Sequence, residues 1–216
     1  MVYLKTYNHT LIWVYTMKKS NKFNNIYIFI MFLLAFIAFL FSLFYSTFFN
    51  AMQFLFLSLC LLLPILLINM FNIKIPFYII LVYNLFLIAH FVVGEVLNFY
   101  VSVSNYDTAL HFLSAICISF LGLYISNQCI KNDFFGYQIV FSFMFGLTSE
   151  FLWEILEYSI DHFCNTNMQR FIKDGLTLSG HMALYDTMKD MFVALSGCMS
   201  FVILKLLFNK KKKSRS

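Results

Sequence analysis

The acidic residues of this chain recur at helical spacing in its second half, and histidine is among them. Asp107 and His111 lie four positions apart, and Asp186 and Asp190 repeat that spacing. Residues at i, i+4 and i+7 share one face of an α-helix, so each set can direct its side chains to one place. Such a mixture of carboxylates and imidazole suits a divalent cation or, without one, acid–base catalysis or proton relay. The longest series comprises Glu150, Glu154, Glu157 and Asp161.

Carboxylate oxygens favour Mg²⁺, Mn²⁺ or Ca²⁺, and histidine adds Zn²⁺ or Fe²⁺ to the candidates. The candidate ligands of a divalent metal are Asp107, His111, Glu154, Asp186 and Asp190. The candidates for catalysis are Asp107, His111, Glu154, Glu157, Asp186 and Asp190. The candidates for substrate binding are His90, Glu95, Glu150 and Lys189. No G-x-S-x-G, P-loop, H-E-x-x-H or histidine box accompanies them, so the pattern predicts a polar functional site but no reaction.

The composition indicates that lipid surrounds most of the chain. Of 216 residues, 61% are hydrophobic and 12% are charged, and the mean hydropathy is +0.78. Soluble domains carry roughly 25% charged residues. We therefore predict an all-α, polytopic membrane helix bundle with about six transmembrane helices, each near the ~20 residues that cross the hydrocarbon. The predicted spans are 26–46, 51–71, 76–101, 106–127, 136–161 and 184–208. Pro64 should kink the second span, and Pro76 suits the first turn of the third.

We predict one transmembrane domain over residues 26–208, because no repeat or flexible linker divides it. Residues 1–25 would form a cytoplasmic segment, of which 1–16 is an extension if Met17 is the native start, and 209–216 a basic cytoplasmic tail. Lysines in the leading segment, at Lys74, at Lys131 and in the tail place both termini in the cytoplasm of a multi-pass cell-membrane protein. The tail would anchor to anionic lipid rather than bind nucleic acid, so the expected partner is the bilayer. Oligomeric state is left open.

With this orientation, the acids of spans three to six fall at one depth in the outer half of the membrane. Charges that faced lipid would cost several kcal/mol each, which favours convergence inside the bundle. Simpler roles remain open for several groups: a helix-dipole role for Asp107 and Asp186, an interfacial charge at Asp161, and a hydrogen-bonded core position for His90. We expect Lys189 to neutralise part of the cluster by pairing with Asp186 or a facing glutamate.

Three short motifs resemble the YjdF-like family of bacterial inner-membrane proteins. They are Tyr106-Asp107-x-x-x-His111-Phe112, Glu154-x-x-Glu157-Tyr158 and Tyr185-Asp186-x-x-x-Asp190-Met191. The resemblance covers about residues 80–205 and implies a fold and site positions, with no substrate. Residues 178–184 depart from the G-T-Q-G-D-like stretch of that family, which suggests a different ligand. A more remote similarity, Asp-x-x-x-His on one helix with acids on the next two, links the chain to VanZ-like proteins with cell-envelope phenotypes.

Three functions fit these features. The leading hypothesis is a membrane-embedded enzyme or ligand-processing protein at the outer leaflet, acting on a lipid-linked or cell-envelope substrate, with Arg170, Lys173 or Lys189 on its anionic head group. The second is a small proton- or cation-coupled transporter, in which the acidic series of span five (Glu150, Glu154, Glu157 and Asp161) forms the path of the ion. The third is a non-catalytic membrane partner in which the acids hold the helices together. Whether the protein is an enzyme is left open.

Overall fold

The computed structural model describes the backbone of residues 2–71, 73–129, 135–173 and 175–213. Side chains are described for 22–70, 73–128, 135–173 and 175–210. The expectation for Lys131, and those for the side chains of the lysines before residue 22 and of the tail beyond residue 210, lie outside these ranges.

Six helical segments in the described part of the chain are long and apolar enough to cross a membrane. They are Lys22–Tyr45, Phe48–Met70, Phe77–Val96, Tyr106–Gln128, Phe135–Cys164 and His181–Lys210. The predicted membrane fold is therefore confirmed, with most boundaries within a few residues. The third span was predicted too long, because it ends at Val96 rather than near residue 101. Asn98 adopts a left-handed conformation (φ 61°), which an α-helix cannot propagate through.

The chain forms two compact units, Met1–Leu97 and Asn98–Ser216. The prediction of a single transmembrane domain stays a prediction. The helices of the first unit are α1 (Val2–Tyr45), α2 (Phe48–Leu61), α3 (Leu63–Phe71), α4 (Phe77–Leu87) and a π-helix (Ile88–Val96) that continues α4. Within this unit α1 packs on α2, and α2 packs on the π-helix.

Pro64 breaks the second span as predicted. Helix α2 ends at Leu61 and α3 begins at Leu63. A proline in a helix has no N–H for the carbonyl four residues earlier, which here is that of Cys60. The hydroxyl of Tyr83 donates to this carbonyl at 2.7 Å and so satisfies it inside the unit. Pro76 precedes the third span rather than entering it, with φ −62° and ψ 148° just before α4.

The second unit carries three long helices and a short hairpin. Its elements are α5 (Phe99–Ser102), α6 (Tyr106–Cys129), α7 (Phe135–Cys164), β1 (Ile172–Lys173), β2 (Leu176–Thr177) and α8 (His181–Lys213). Helices α6, α7 and α8 each pack against the other two. The strands are antiparallel, with Ile172 opposite Thr177 and Lys173 opposite Leu176.

Glycines allow these three helices to approach closely. A Cβ atom at Gly146 of α7 would lie 2.4 Å from Oγ of Ser119 and 2.8 Å from Sγ of Cys198. A Cβ atom at Gly197 of α8 would lie 2.5 Å from the carbonyl oxygen of Phe112. In lipid, where apolar burial gives little drive to helix association, such small residues permit the close van der Waals packing that holds helices together. The polar faces of α6, α7 and α8 are thereby drawn together.

Candidate functional site

The imidazole of His111, on α6, lies among carboxylates from α6, α7 and α8. Its Nδ1 is 3.1 Å from Oε2 of Glu150 on α7. Its Nε2 is 3.5 Å from Oδ1 of Asp107 and 3.9 Å from Oε1 of Glu154. Because the His111 side chain is only 6% exposed, these groups, rather than solvent, set its orientation.

Glu150 is held by a residue that the sequence pattern did not single out. Ser114 donates its hydroxyl to Oε1 of Glu150 at 2.7 Å, while Oε2 faces His111. Ser114 lies three positions after His111, so the helical spacing that linked Asp107 to His111 could also have indicated it. Glu150 thus has a partner on each oxygen, which suits a residue that positions the imidazole.

Lys189 of α8 lies at the exposed edge of the cluster. Its ammonium donates a hydrogen bond to Oδ1 of Asp186 at 3.3 Å, which confirms the expected pairing. It also lies 3.4 Å from Oδ1 of Asp190 and 3.8 Å from Oδ2 of Asp107. The last contact crosses from α8 to α6 and was not expected. Asp107 therefore faces His111 with one oxygen and Lys189 with the other.

Three of the five predicted metal ligands come together. One side-chain atom from each of Asp107, His111 and Asp190 lies within 4.8 Å of the corresponding atoms of the other two. Among the described residues, this is the group with metal-ligand geometry, so Glu154 and Asp186 stand outside it. Glu154 nevertheless remains 3.9 Å from Nε2 of His111.

Two carboxylate oxygens of the cluster are buried without a hydrogen bond. They are Oε1 of Glu154 and Oδ1 of Asp190, neither of which accepts a hydrogen bond within the described structure. Their residues are 5% and 3% exposed. An unpaired buried polar oxygen costs about 1–3 kcal/mol, and more when it is charged. Nζ of Lys189 lies 3.4 Å from Oδ1 of Asp190, and Nε2 of His111 lies 3.9 Å from Oε1 of Glu154, so each oxygen faces a basic group but keeps a lone pair that a proton or a cation can use.

Glu157 and Asp161, the last two acids of the series on α7, have different surroundings. The indole N–H of Trp153 donates to Oε1 of Glu157 at 2.9 Å. Asp161 is buried, and it accepts hydrogen bonds from the hydroxyl of Thr166 and from the backbone N–H groups of Met168 and Gln169. Asp161 is thus a structural anchor for the loop after α7, rather than an interfacial charge.

The loop that Asp161 holds also contacts α8. The amide of Gln169 donates to Oγ1 of Thr187 on α8 at 3.1 Å. The guanidinium of Arg170 lies 4.8 Å from the ring centre of Tyr100, before α6. The sequence analysis did not identify Gln169 and Thr187. Gln169 lies in a loop, and helical spacing cannot relate a loop residue to a residue of the next helix.

His90 and Glu95 belong to the first unit. His90 is buried in the π-helix, with its ring packed edge-on against Phe91 at 4.8 Å between centroids. Glu95 lies in the same π-helix and is partly buried. Their predicted part in substrate binding stays a prediction.

The comparisons with known proteins decide the family. A family model described as "Predicted membrane protein (DUF2238)" matches residues 24–211. The chain belongs to this family. DUF2238 is the YjdF-like family, so the resemblance drawn from the three motifs is confirmed. The similarity to VanZ-like proteins stays a prediction.

An individual relative is also similar to the chain. An uncharacterized protein of Thermotoga maritima is 30% identical over 125 residues, which cover 56% of this chain and 57% of the relative. The aligned part thus spans less than two thirds of that protein. No solved structure matches the chain.

The matched DUF2238 region contains the whole cluster on α6, α7 and α8. In this cluster six carboxyl groups share three basic groups, which are the imidazole of His111, the ammonium of Lys189 and the guanidinium of Arg170. The carboxyl groups are those of Asp107, Glu150, Glu154, Glu157, Asp186 and Asp190. Three basic groups fall short of six carboxyl groups in a medium of low dielectric, so bound protons or a bound cation would make up the difference.

Proposed function

We propose that this DUF2238 protein is a membrane-embedded, metal-dependent enzyme that acts at the outer leaflet on a lipid-linked or cell-envelope substrate. The observation that carries the proposal is the convergence of Asp107, His111 and Asp190, whose ligand atoms lie within 4.8 Å of one another. The buried oxygens of Glu154 and Asp190 that accept no hydrogen bond within the described structure also support it.

The donor set indicates the class of metal. Two carboxylates and one imidazole suit Mn²⁺ or Zn²⁺, since oxygen ligands favour hard cations and imidazole favours transition metals. Three protein ligands leave coordination positions open, as catalytic sites require. A metal in such a site activates a bound water or polarises a carbonyl or phosphoryl oxygen. Glu154, beside the imidazole, is placed to act as a fourth ligand or as a general base.

Supporting groups surround this trio. Glu150 fixes the imidazole through Nδ1, which leaves Nε2 directed at Asp107 and Glu154. A carboxylate partner on the second nitrogen is the usual arrangement of a metal-bound histidine, because it sets the tautomer and the ring orientation. Ser114 in turn holds Glu150, so two layers of side chains preorganise the centre.

Exposure within the second unit indicates how a substrate would reach the centre. The side chains of Glu150, Glu154 and Asp190 are 7%, 6% and 4% exposed. Those of Asp107 and Asp186 are 19% exposed, and that of Lys189 is 30% exposed. The cluster therefore opens on the Lys189 side, where a head group of a lipid-linked molecule would enter from the plane of the membrane.

Hydrogen bonding toward the cytoplasmic half favours the enzyme over a carrier. Ser142 and Ser126 each donate back to a carbonyl of their own helix, at Gln138 and Leu123. Ser119 donates to Sγ of Cys198 at 3.4 Å, at the point where Gly146 packs tightly. Within the described helices of the second unit, these hydroxyls are used locally and do not extend the cluster into a path. A proton- or cation-coupled transporter would need such a path.

Metal content of the detergent-purified protein tests the proposal first. We expect near-stoichiometric metal by elemental mass spectrometry in the wild type and its loss in Asp107→Asn/Asp190→Asn. The matched control is Asp161→Asn, which alters a buried aspartate of the same unit that holds only a loop. Metal in none of the three, or equal metal in all, would contradict the metal centre.

Activity requires a second experiment. Cells that express Glu154→Gln should accumulate a precursor in their lipid-linked or envelope fraction, relative to cells with the wild type. An unchanged lipid profile together with cation flux in proteoliposomes would favour the transporter. An unchanged profile without flux, and amide variants that only lose stability, would favour the non-catalytic partner.

A further inference from the structure

The ammonium of Lys189 lies at the carboxylates that the proposed metal would use. Its Nζ is 3.4 Å from Oδ1 of Asp190 and 3.8 Å from Oδ2 of Asp107, which are two of the three proposed ligands. A metal ion and this ammonium would therefore draw on the same two negative charges. This argument rests on the proposed metal centre.

Lys189 donates no hydrogen bond to either of these two carboxylates within the described structure. Its hydrogen bond goes to Asp186, three positions earlier on the same helix. Oδ1 of Asp190 accepts no hydrogen bond from the described residues although the ammonium is near it. The lysine thus compensates charge at both residues, but it leaves Oδ1 of Asp190 without a hydrogen bond and stays 3.8 Å from Oδ2 of Asp107. A cation that coordinates both oxygens would satisfy them better.

We propose that Lys189 is an internal competitor for the cation site, and that it sets which cations the site accepts. A second positive charge at about 4 Å is strongly unfavourable in a medium of low effective dielectric. An incoming cation must therefore gain more from Asp107, His111 and Asp190 than it loses by repelling or displacing the ammonium. Mn²⁺ or Zn²⁺ meets this condition through its double charge and its bond to imidazole, whereas Na⁺ and K⁺ do not.

The local contacts allow the ammonium of Lys189 to move away from the proposed metal ligands. Its hydrogen bond to Asp186 does not involve the three proposed ligands. The side chain is 30% exposed, so it has room to turn outward about that bond. Asp186 therefore acts through Lys189, as a positioning residue, rather than as a ligand.

Equilibrium dialysis of Mn²⁺ against the full-length protein in detergent tests this proposal. Lys189→Met, which keeps the length of the side chain and removes its charge, should bind Mn²⁺ at least tenfold more tightly than the wild type. It should also bind Mn²⁺ less selectively against 100-fold excess K⁺, in line with the loss of the charge barrier. The matched control is Lys205→Met on the same helix, where the ammonium lies over the ring of Phe120, and it should leave affinity unchanged.

The outcomes separate this inference from the proposed function. Wild-type binding of Mn²⁺ with equal or weaker binding in Lys189→Met would overturn the competitor role and leave the metal centre standing. Binding in Lys189→Met alone would support strong competition. No binding in either protein would overturn both.

A measurement on the wild type covers the case in which Lys189→Met fails to fold. Labelling of Lys189 by an amine-reactive reagent, read by peptide mass spectrometry, should rise severalfold when Mn²⁺ is added, because the ammonium is pushed outward. Labelling of Lys205 should stay constant. Unchanged or reduced labelling of Lys189 in the Mn²⁺-bound protein would contradict the proposal.

A double-mutant cycle tests the place of Asp186. Asp186→Asn should weaken Mn²⁺ binding in the wild type. Without its hydrogen bond to the Asp186 carboxylate, the ammonium of Lys189 would lie closer to Asp107 and Asp190 and compete more strongly with the metal. The same change should have little effect in the Lys189→Met background. An equal loss in both backgrounds would make Asp186 a ligand in its own right and would contradict its assignment as a positioning residue.

Discussion

Nδ1 of His111 lies 3.1 Å from Oε2 of Glu150, across the contact between α6 and α7. This distance fixes which nitrogen of the imidazole faces the other acids, because a hydrogen bond at Nδ1 directs Nε2 toward Asp107. The glutamate was expected to contact substrate. Its position instead suits the support of a ligand, and its own second oxygen is held by Ser114.

Replacement of Glu150 by glutamine should weaken metal binding without abolishing it. The amide keeps the shape of the side chain but removes the negative charge that supports the imidazole. Loss of such a partner usually costs 10–100-fold in metal affinity, and we expect a loss in that range. Equilibrium dialysis with Mn²⁺ measures it.

Ser114→Ala provides the graded control for this prediction. It removes the hydroxyl that holds Glu150 but leaves the carboxylate and its charge, so its loss of affinity should be smaller than that of Glu150→Gln. If Glu150→Gln bound no metal at all, Glu150 would have to be a direct ligand.

Removal of the proposed metal should lower the stability of the folded protein. A ligand at 100 times its dissociation constant stabilises the native state by about 2.7 kcal/mol. Addition of a chelator should therefore lower the Tm of the wild type by several degrees in a helicity-monitored melt. His111→Ala should melt at the same temperature with and without chelator, and a chelator effect of equal size in this variant would argue against the site.

Asp161→Asn should destabilise the protein while leaving its metal content intact. The carboxylate accepts the N–H groups of Met168 and Gln169 and the hydroxyl of Thr166. Hydrogen bonds to a charged group contribute about 1.5–3 kcal/mol, so the loss of the charge should cost about 2 kcal/mol of unfolding free energy. Faster proteolysis in the loop at residues 165–180, with unchanged metal by elemental mass spectrometry, is the expected result. Loss of metal in this variant would extend the centre to Asp161.

Gly146→Ala should damage the bundle more than Gly122→Ala. The new Cβ would lie 2.4 Å from Oγ of Ser119 at Gly146, whereas at Gly122 its nearest atom is Cβ of Phe145 at 3.0 Å. Overpacking of a tight interface costs about 1–3 kcal/mol. Thermal melts in detergent should show a lower Tm for Gly146→Ala, and the double variant Gly146→Ala/Ser119→Gly should recover part of it. Equal melting temperatures for the two single variants would contradict this account of the helix contact.

The orientation of the chain in the cell membrane is a further prediction. By the distribution of lysines near the ends of the spans, we expect both termini in the cytoplasm and the acid cluster toward the outer leaflet. A fluorescent reporter fused at residue 216 should fold and emit, whereas an alkaline phosphatase fused there should stay inactive. A phosphatase inserted after Gly175, between β1 and β2, should be active. The reverse pattern would place the cluster at the cytoplasmic face.

The motif spacings by themselves identified most residues of the candidate site. Asp107 with His111 and Asp186 with Asp190 were correctly placed on single helix faces, because a helix repeats about every 3.6 residues whatever surrounds it. The break at Pro64 was equally local, since proline lacks the N–H that the helix needs. The end of the third span was misplaced, since the left-handed conformation of Asn98 is not a property that apolar composition reveals.

The sequence alone determined that the chain has about six helices able to cross a membrane, because hydropathy is a local quantity. The common depth of its acids stays a prediction from the helical rise. Only the tertiary structure decided the partners: that Glu150 faces His111, that Asp107 joins Lys189, and that Asp161 holds a loop. These contacts depend on how α6, α7 and α8 rotate about their axes and how closely Gly146 and Gly197 let them approach. Helix rotation and separation follow from packing between distant residues, which no spacing within one helix encodes.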